Sequence, residues 1–105
     1  MIIEPLSSYS SVKGVIELPY SKSIRARLLI INALNDKLLD IDEKDCRDIK
    51  ILHAALKQIL ETKSGEVVTV DVQDSGTALR FLTAFCALRP GEFVITGTDR
   101  LCMRP

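Results

Sequence analysis

The sequence has no tryptophan, only two tyrosines and three phenylalanines, no excess of charge of either sign, and no apolar run free of charged residues that is long enough to span a membrane. Each shortage excludes something. A nucleic-acid binder neutralises many phosphates with Lys and Arg, and 14 basic residues against 14 acidic ones leave nothing over for that task. Five aromatics make no platform for stacked bases. Neither nucleic acid nor membrane is an expected partner. Cysteine is also scarce: Cys46, Cys86 and Cys102 are odd in number and lack the close pairs of zinc sites and disulfide-stapled scaffolds. Reduced thiols in a cytoplasmic protein are expected. The opening MIIEPLSSYSS has no basic stretch followed by an apolar core, so no secretory leader is read there.

What is present is 105 residues with 47% apolar composition, enough for one core in one unit or in a piece of a larger protein. A chain this short buries a modest share of its surface, and its stability margin is expected to be thin.

Residues 12–18 (VKGVIEL) alternate in polarity and stop at Pro19, as a strand does. Residues 21–35 then switch to helical spacing, with Ser21 as N-cap and Ile24, Leu28 and Ile31 on the face expected to pack inward. Residues 38–41 (LLDI) suggest a short strand and residues 42–45 a charged turn. A second helix carries Ile49, Leu52, Leu56, Ile59 and Leu60 on one face, with Asp45 or Asp48 as its cap and Ser64-Gly65 as its stop. Residues 67–72 (VVTVDV) are β-branched and alternating. A third helix runs from Gly76 to about Arg89, before Pro90-Gly91, and residues 93–96 (FVIT) form a last strand. Alternating strands and helices joined by short connections predict an α/β or α+β unit with helices packed on a sheet. The final Met103, Arg104 and Pro105 form no terminating element and read as the edge of a longer polypeptide.

Three polar stretches stand at element junctions. The first is Pro19, Tyr20, Ser21, Lys22, Ser23, with Arg25 and Arg27 following. Cations in a helix's first turn oppose its dipole at a cost of about 0.3–1 kcal/mol unless something negative sits there. A bound phosphate or carboxylate would supply it, using the free N–H groups of the helix start; the alternative is a solvated basic turn. The second is Asp74, Ser75, Gly76, Thr77, with Arg80 one turn on, readable as ordinary caps or as a backbone cradle for an anion. The third is Gly97, Thr98, Asp99, Arg100 and then Arg104, a surface loop or a pair of guanidiniums that grip an anion through parallel hydrogen bonds. His53 reads as a helix-flank residue and the cysteines as core or edge thiols. Three anion-suited stretches at successive junctions can lie along one edge of a layered fold, and together they suggest a small, multiply anionic ligand. Nothing among them supplies a metal site or a nucleophile with its base.

These stretches carry a family resemblance. LPYSKSIRARLLIINAL (residues 18–34) resembles the LPGSKSxSNRALL signature of the 5-enolpyruvylshikimate-3-phosphate (EPSP) synthases, or 3-phosphoshikimate 1-carboxyvinyltransferases. DSGTALRFLTAFCAL (residues 74–88) is similar to their NAGTAMRFLTALLAL, and ITGTDRLCMRP (residues 95–105) to their LTGxxRMxxRP. The resemblance implies about one sheet-and-helix repeat of a two-domain fold, here an N-terminal fragment in which residues 1–105 form a single unit and residues 1–12 cross toward the other domain. It implies transfer of the enolpyruvyl group of phosphoenolpyruvate to the 5-hydroxyl of shikimate 3-phosphate, in the pathway to aromatic amino acids, with no metal or organic cofactor. Lys22, Ser23 and Arg27 match shikimate 3-phosphate contacts, and Lys22, Gly76 and Arg104 match phosphoenolpyruvate contacts. Arg80 falls on the same helix motif, and Thr77 reads as local. No matched position is a catalytic proton-transfer residue, so the isolated piece is expected to be inactive.

Other readings are a non-catalytic anion-binding or regulatory relic and the related UDP-N-acetylglucosamine enolpyruvyl transferase, whose first motif opens with Lys-Asn where this chain has Lys22-Ser23. Tyr20, Arg25, Ala26 and Asp74 depart from the family pattern and are expected to crowd or recharge the site, Asp74 by placing a carboxylate near two anions. A fragment should also leave an apolar face uncovered, with self-association and disorder near residues 1–12 and 97–105.

Overall fold

The computed structural model describes residue 11 and residues 13–105. Its elements are α1 (Lys22–Leu34), α2 (Arg47–Glu61), β1 (Val67–Asp71), α3 (Gly76–Ala87), β2 (Glu92–Thr96) and a single-turn α4 (Asp99–Cys102). The α/β class expected from the alternation is what forms.

The two strands are parallel, with Val67 opposite Glu92 and Asp71 opposite Thr96, and α3 makes the crossover that a parallel pair requires. The ladder runs past the strands: Val72 N donates to Thr96 O at 2.8 Å and Thr98 N to Gln73 O at 2.9 Å. The carboxyl ends of both strands are therefore tied together beside the start of α3. Such strand ends are where open α/β sheets place ligands. Period-2 alternation turns Val68 and Val70 into the core and leaves Val67, Thr69 and Asp71 outside.

The core is Phe85, Leu29, Ile49, Leu52, Leu56, Leu82, Val70 and Val72, with Ile51, Ala55 and Ile59 around them. α2 packs against α1, α3 and β1 and so uses a wider apolar stripe than one neighbour would need. Its face matches the expected Ile49, Leu52, Leu56 and Ile59, with Leu60 half-buried at the rim. The tight turns that follow α2 and α3 use glycine at positive φ, Gly65 at 91° and Gly91 at 126°.

The structure corrects several expectations. α1 starts and ends where its caps predict, but Ile24, Leu28 and Ile31 are 59%, 40% and 56% exposed, and Ala26, Leu29 and Ala33 are buried instead. Two small alanines let α1 approach α2 and α3 closely, and the bulky stripe is left outside. Residues 13–18 form no strand, with Val15 and Ile16 93% and 83% exposed, because a strand exists only through a ladder partner and β1 and β2 pair with each other. Val12 and the expected crossing segment up to it lie outside the described residues, apart from residue 11. Residues 38–41 are also irregular; Leu38, Leu39 and Ile41 pack on the core by their side chains alone. Neither Asp45 nor Asp48 caps α2: its N-cap is Cys46, whose side chain makes no cap bond. Residues 97–105 are not a loose loop, since Thr98 caps α4 and Leu101 is buried.

Candidate functional site

α3 begins directly after the tied strand ends. Gln73 adopts φ 55°, a conformation costly for a side chain other than glycine, and Asp71 Oδ1 supports the turn by accepting from Gln73 N at 2.8 Å. Ser75 is buried and caps α3 by accepting from Ala78 N at 3.1 Å. The expected capping role of Ser75 holds, and the free N–H groups of the first turn open at Gly76. That residue is buried beneath two guanidiniums: a Cβ placed on it would stand 2.9 Å from Arg104 Nη1 and 3.2 Å from Arg80 Nη1. Gly76, Leu79, Arg80, Leu101, Arg104 and Pro105 line an open cavity, and Asp74 and Arg100 line a smaller hollow beside it.

The structure thus brings the second and third stretches into one place, 28 residues apart in the chain. Among the described residues, ion pairs join Lys22 to Asp48, Arg25 to Asp45, Arg47 to Asp74 and Arg89 to Asp36; no carboxylate pairs with Arg80 or Arg104. Two uncommitted guanidiniums over the N-terminus of a twelve-residue helix form a positive site shaped for phosphate or carboxylate. Thr77 lies half-buried in the same turn.

The first stretch sits at the start of α1, and the first turn of α2 stands between it and the Gly76 site. Lys22 Nζ meets Asp48 Oδ2 at 3.1 Å, and the adjacent Arg47 reaches the other way, Nη1 to Asp74 Oδ1 at 3.1 Å and Nη2 to Gln73 Oε1. Ser23 Oγ lies 3.3 Å from Ser21 Oγ, and Arg27 Nη1 donates to Ser23 O at 3.0 Å. Lys22, Ser23 and Arg27 all remain exposed. Lys22 and Arg25 are balanced by Asp48 and Asp45, so an anion is not needed to explain those two, whereas Arg27 has no carboxylate partner among the described residues.

Of the four residues that depart from the family pattern, Tyr20, Arg25 and Asp74 each have a polar partner and Ala26 is buried in the core. Tyr20 OH donates to Asp42 Oδ2 at 2.9 Å, and the carboxylate beside it raises the phenol's pKa. Arg25 forks onto Asp45 at 2.7 and 2.8 Å, which holds the Asp45 carboxyl below its usual range. Asp74 is paired with Arg47, so its charge faces a cation. Sequence reasoning missed Arg47, Asp42, Asp45 and Asp48 as members of this region. Their signal is the density of charge in residues 40–48, which local patterning alone reads as a turn and a cap. His53 is half-buried on α2; burial is the main cause that lowers its pKa, and Lys57 adds to it, while Asp40 and Asp45 act in the opposite direction. Cys86 is buried, which raises its thiol's pKa, while Cys46 and Cys102 are exposed.

Fold and site define a class first: an α/β unit that presents uncommitted arginines and a glycine-opened helix start at the carboxyl ends of parallel strands. The comparisons narrow it. The sequence profile of EPSP synthase (3-phosphoshikimate 1-carboxyvinyltransferase) matches residues 37–105. A 3-phosphoshikimate 1-carboxyvinyltransferase of Bacteroides fragilis is 44% identical over 102 residues, 95% of this chain and 23% of that relative. Those of Anaeromyxobacter dehalogenans and Photobacterium profundum are 33% and 31% identical, over 90% and 95% of this chain and 25% and 28% of theirs. No solved structure matches. The chain belongs to the EPSP synthase family. It spans about a quarter of the length of these curated relatives.

Proposed function

We propose that this chain is the N-terminal part of a 3-phosphoshikimate 1-carboxyvinyltransferase and carries an anion-binding half of its site. The observation that carries the reading is the convergence of Arg80 and Arg104, unpaired among the described residues, over Gly76 at the start of α3. In this reading Gly76 and Arg104 hold phosphoenolpyruvate, with Arg80 beside them and Thr77 local to the turn. Lys22, Ser23 and Arg27 hold shikimate 3-phosphate, and Lys22 also reaches phosphoenolpyruvate. Bringing two anions together and stabilising the charge that shifts between them is what addition and elimination of an enolpyruvyl group require of a site.

Asp45, Asp48 and Asp74, the carboxylates paired with Arg25, Lys22 and Arg47, each face a cation. That leaves them poor candidates for proton transfer and supports binding without turnover in the isolated piece. Residues 1–105 act as one unit, with residues 1–12 leading toward another domain. The family profile and the relatives' names favour shikimate 3-phosphate over a UDP-sugar acceptor. Among the described residues no helix is long and apolar enough to cross a membrane, and a cytoplasmic location fits the free thiols. The exposed stripe of α1 is a surface for self-association in the isolated chain.

The test is calorimetric titration of shikimate 3-phosphate, with and without phosphoenolpyruvate, into the chain and its Lys22→Ala, Arg27→Ala and Arg104→Ala variants. Saturable binding that the first two variants lose for shikimate 3-phosphate, and the third for phosphoenolpyruvate, supports the assignment. Absence of heat at millimolar ligand from a folded sample overturns it for the isolated chain.

A further inference from the structure

The segment that carries Lys22 and Ser23 is fastened on both sides to one turn. Before it, Tyr20 OH donates to Asp42 Oδ2 at 2.9 Å. After it, Arg25 Nε and Nη2 donate to the two oxygens of Asp45 at 2.7 and 2.8 Å, and Nη2 also reaches Asp40 O at 3.0 Å. The Arg25 guanidinium lies 5.0 Å from the centre of the Tyr20 ring and Lys44 Nζ lies 5.8 Å from it, so both fastenings share one stack. Asp42 N donates to Asp45 Oδ2 at 3.1 Å, closing the turn on itself.

Asp45 is the unusual member. Its side chain is 0% exposed and Arg25's is 17%, whereas every other ion pair among the described residues has both partners at least 28% exposed. A buried pair is poor value as a source of stability, because desolvating both charges offsets most of their attraction. What a bidentate buried pair does supply is fixed geometry. Here that geometry locates the first turn of α1, with Lys22 between its two fastenings and Asp48, three residues beyond Asp45, set to meet its ammonium.

We propose that Asp45 is a positioning residue for anion binding: through its fork onto Arg25, and with Tyr20 tied to Asp42, it holds segment 20–25 so that Lys22 and Ser23 face the ligand. The proposal rests on the half-site reading above. Asp45 touches no ligand and acts through Arg25. Its substitution separates geometry from charge, because Asp45→Asn removes a carboxylate near an anion site. A Coulombic effect alone would tighten anion binding; loss of position weakens it.

The experiment titrates shikimate 3-phosphate, and separately inorganic phosphate, into the full chain, Asp45→Asn, Arg25→Lys and Ile59→Val. Arg25→Lys keeps the charge and loses the fork, and Ile59→Val loosens the core away from the site. At a temperature where all are folded, Asp45→Asn and Arg25→Lys are expected to bind at least tenfold more weakly, with Ile59→Val unchanged. Equal or tighter binding by Asp45→Asn overturns the proposal, as does an equal loss in Ile59→Val. If Asp45→Asn fails to fold, Arg25→Lys decides on the same terms. If the unmodified chain binds neither anion, the half-site reading fails and amide exchange decides the positioning role. Faster exchange of the backbone amides at positions 24 and 25 in Arg25→Lys than in the unmodified chain, with Leu56 unchanged, supports it, and unaltered exchange at those two amides overturns it.

Discussion

Arg104 rests its guanidinium against Gly76, so that a methyl group added there would stand 2.9 Å from Nη1. The contact is between a backbone with no side chain and the far end of a flexible one, and either the methyl or the guanidinium can hold the space. Gly76→Ala is therefore expected to leave the fold intact, with a thermal midpoint unchanged or slightly raised, since Ala is the better residue inside a helix by up to about 1 kcal/mol. Arg104 and Arg80 must then move. Phosphoenolpyruvate affinity is expected to fall about tenfold, equivalent to about 1.4 kcal/mol. Parallel melting and titration check the two halves of this statement, and a stability loss with unchanged affinity would reverse it.

Gly97 has the opposite character. A Cβ there would meet Gln73 O at 2.7 Å and Leu101 Cδ2 at 2.6 Å. The carbonyl belongs to the tie between strand ends and cannot yield without breaking the bond from Thr98 N. Gly97→Ala is expected to destabilise by about 1–3 kcal/mol, the usual range for overpacking, as read from a urea denaturation midpoint.

The Asp45–Arg25 pair predicts a pH dependence. Asp45 has a folded-state pKa below its unfolded value, chiefly because Arg25 donates to it. Its contribution is thus present above the unfolded pKa of about 3.9 and is lost as pH falls through the lower folded value. The chain should lose stability progressively below about pH 4, and Asp45→Asn should flatten that part of the profile while lowering stability at neutral pH. Chemical denaturation across pH 2–7 checks this.

The outward stripe of α1 predicts behaviour in solution. Ile24, Leu28 and Ile31 are exposed and support nothing in the core. Ile24→Lys with Ile31→Lys is expected to change stability by no more than about 0.5 kcal/mol per site, yet to reduce any concentration-dependent association. Sedimentation velocity over a tenfold concentration range is the measurement. A large stability loss would mean that the stripe packs inward after all.

Much of the fold was legible. The apolar face of α2, the β-branched alternation of β1 and the Ser21 and Ser75 caps all act within a turn or two of chain, and each appears where local chemistry puts it, whereas α3 ends at Ala87, two residues short of the expected Arg89. The ends of α1 follow its caps, but the face it buries is not the one its Ile24, Leu28 and Ile31 spacing predicts. Its period was correct, but a helix apolar on two sides does not say which side meets its neighbours. Residues 12–18 and 38–41 have strand-like composition, yet residues 13–18 and 38–41 are irregular, because pairing requires a partner that local sequence does not contain.

The site divides the same way. The residue types and their order, Lys22-Ser23, Gly76-Thr77, Arg80 and Arg104, are legible along the chain, and with them the family. It is the packing of the elements that lays Arg104 over Gly76, brings Arg25 to Asp45 twenty residues away and lets Arg47 neutralise Asp74 across twenty-seven. The physical reason is range. Caps, turns and periodicity are settled by neighbours along the chain, whereas the meeting of one charge with another depends on how α1, α2 and the strand ends are carried together by the packing of the core.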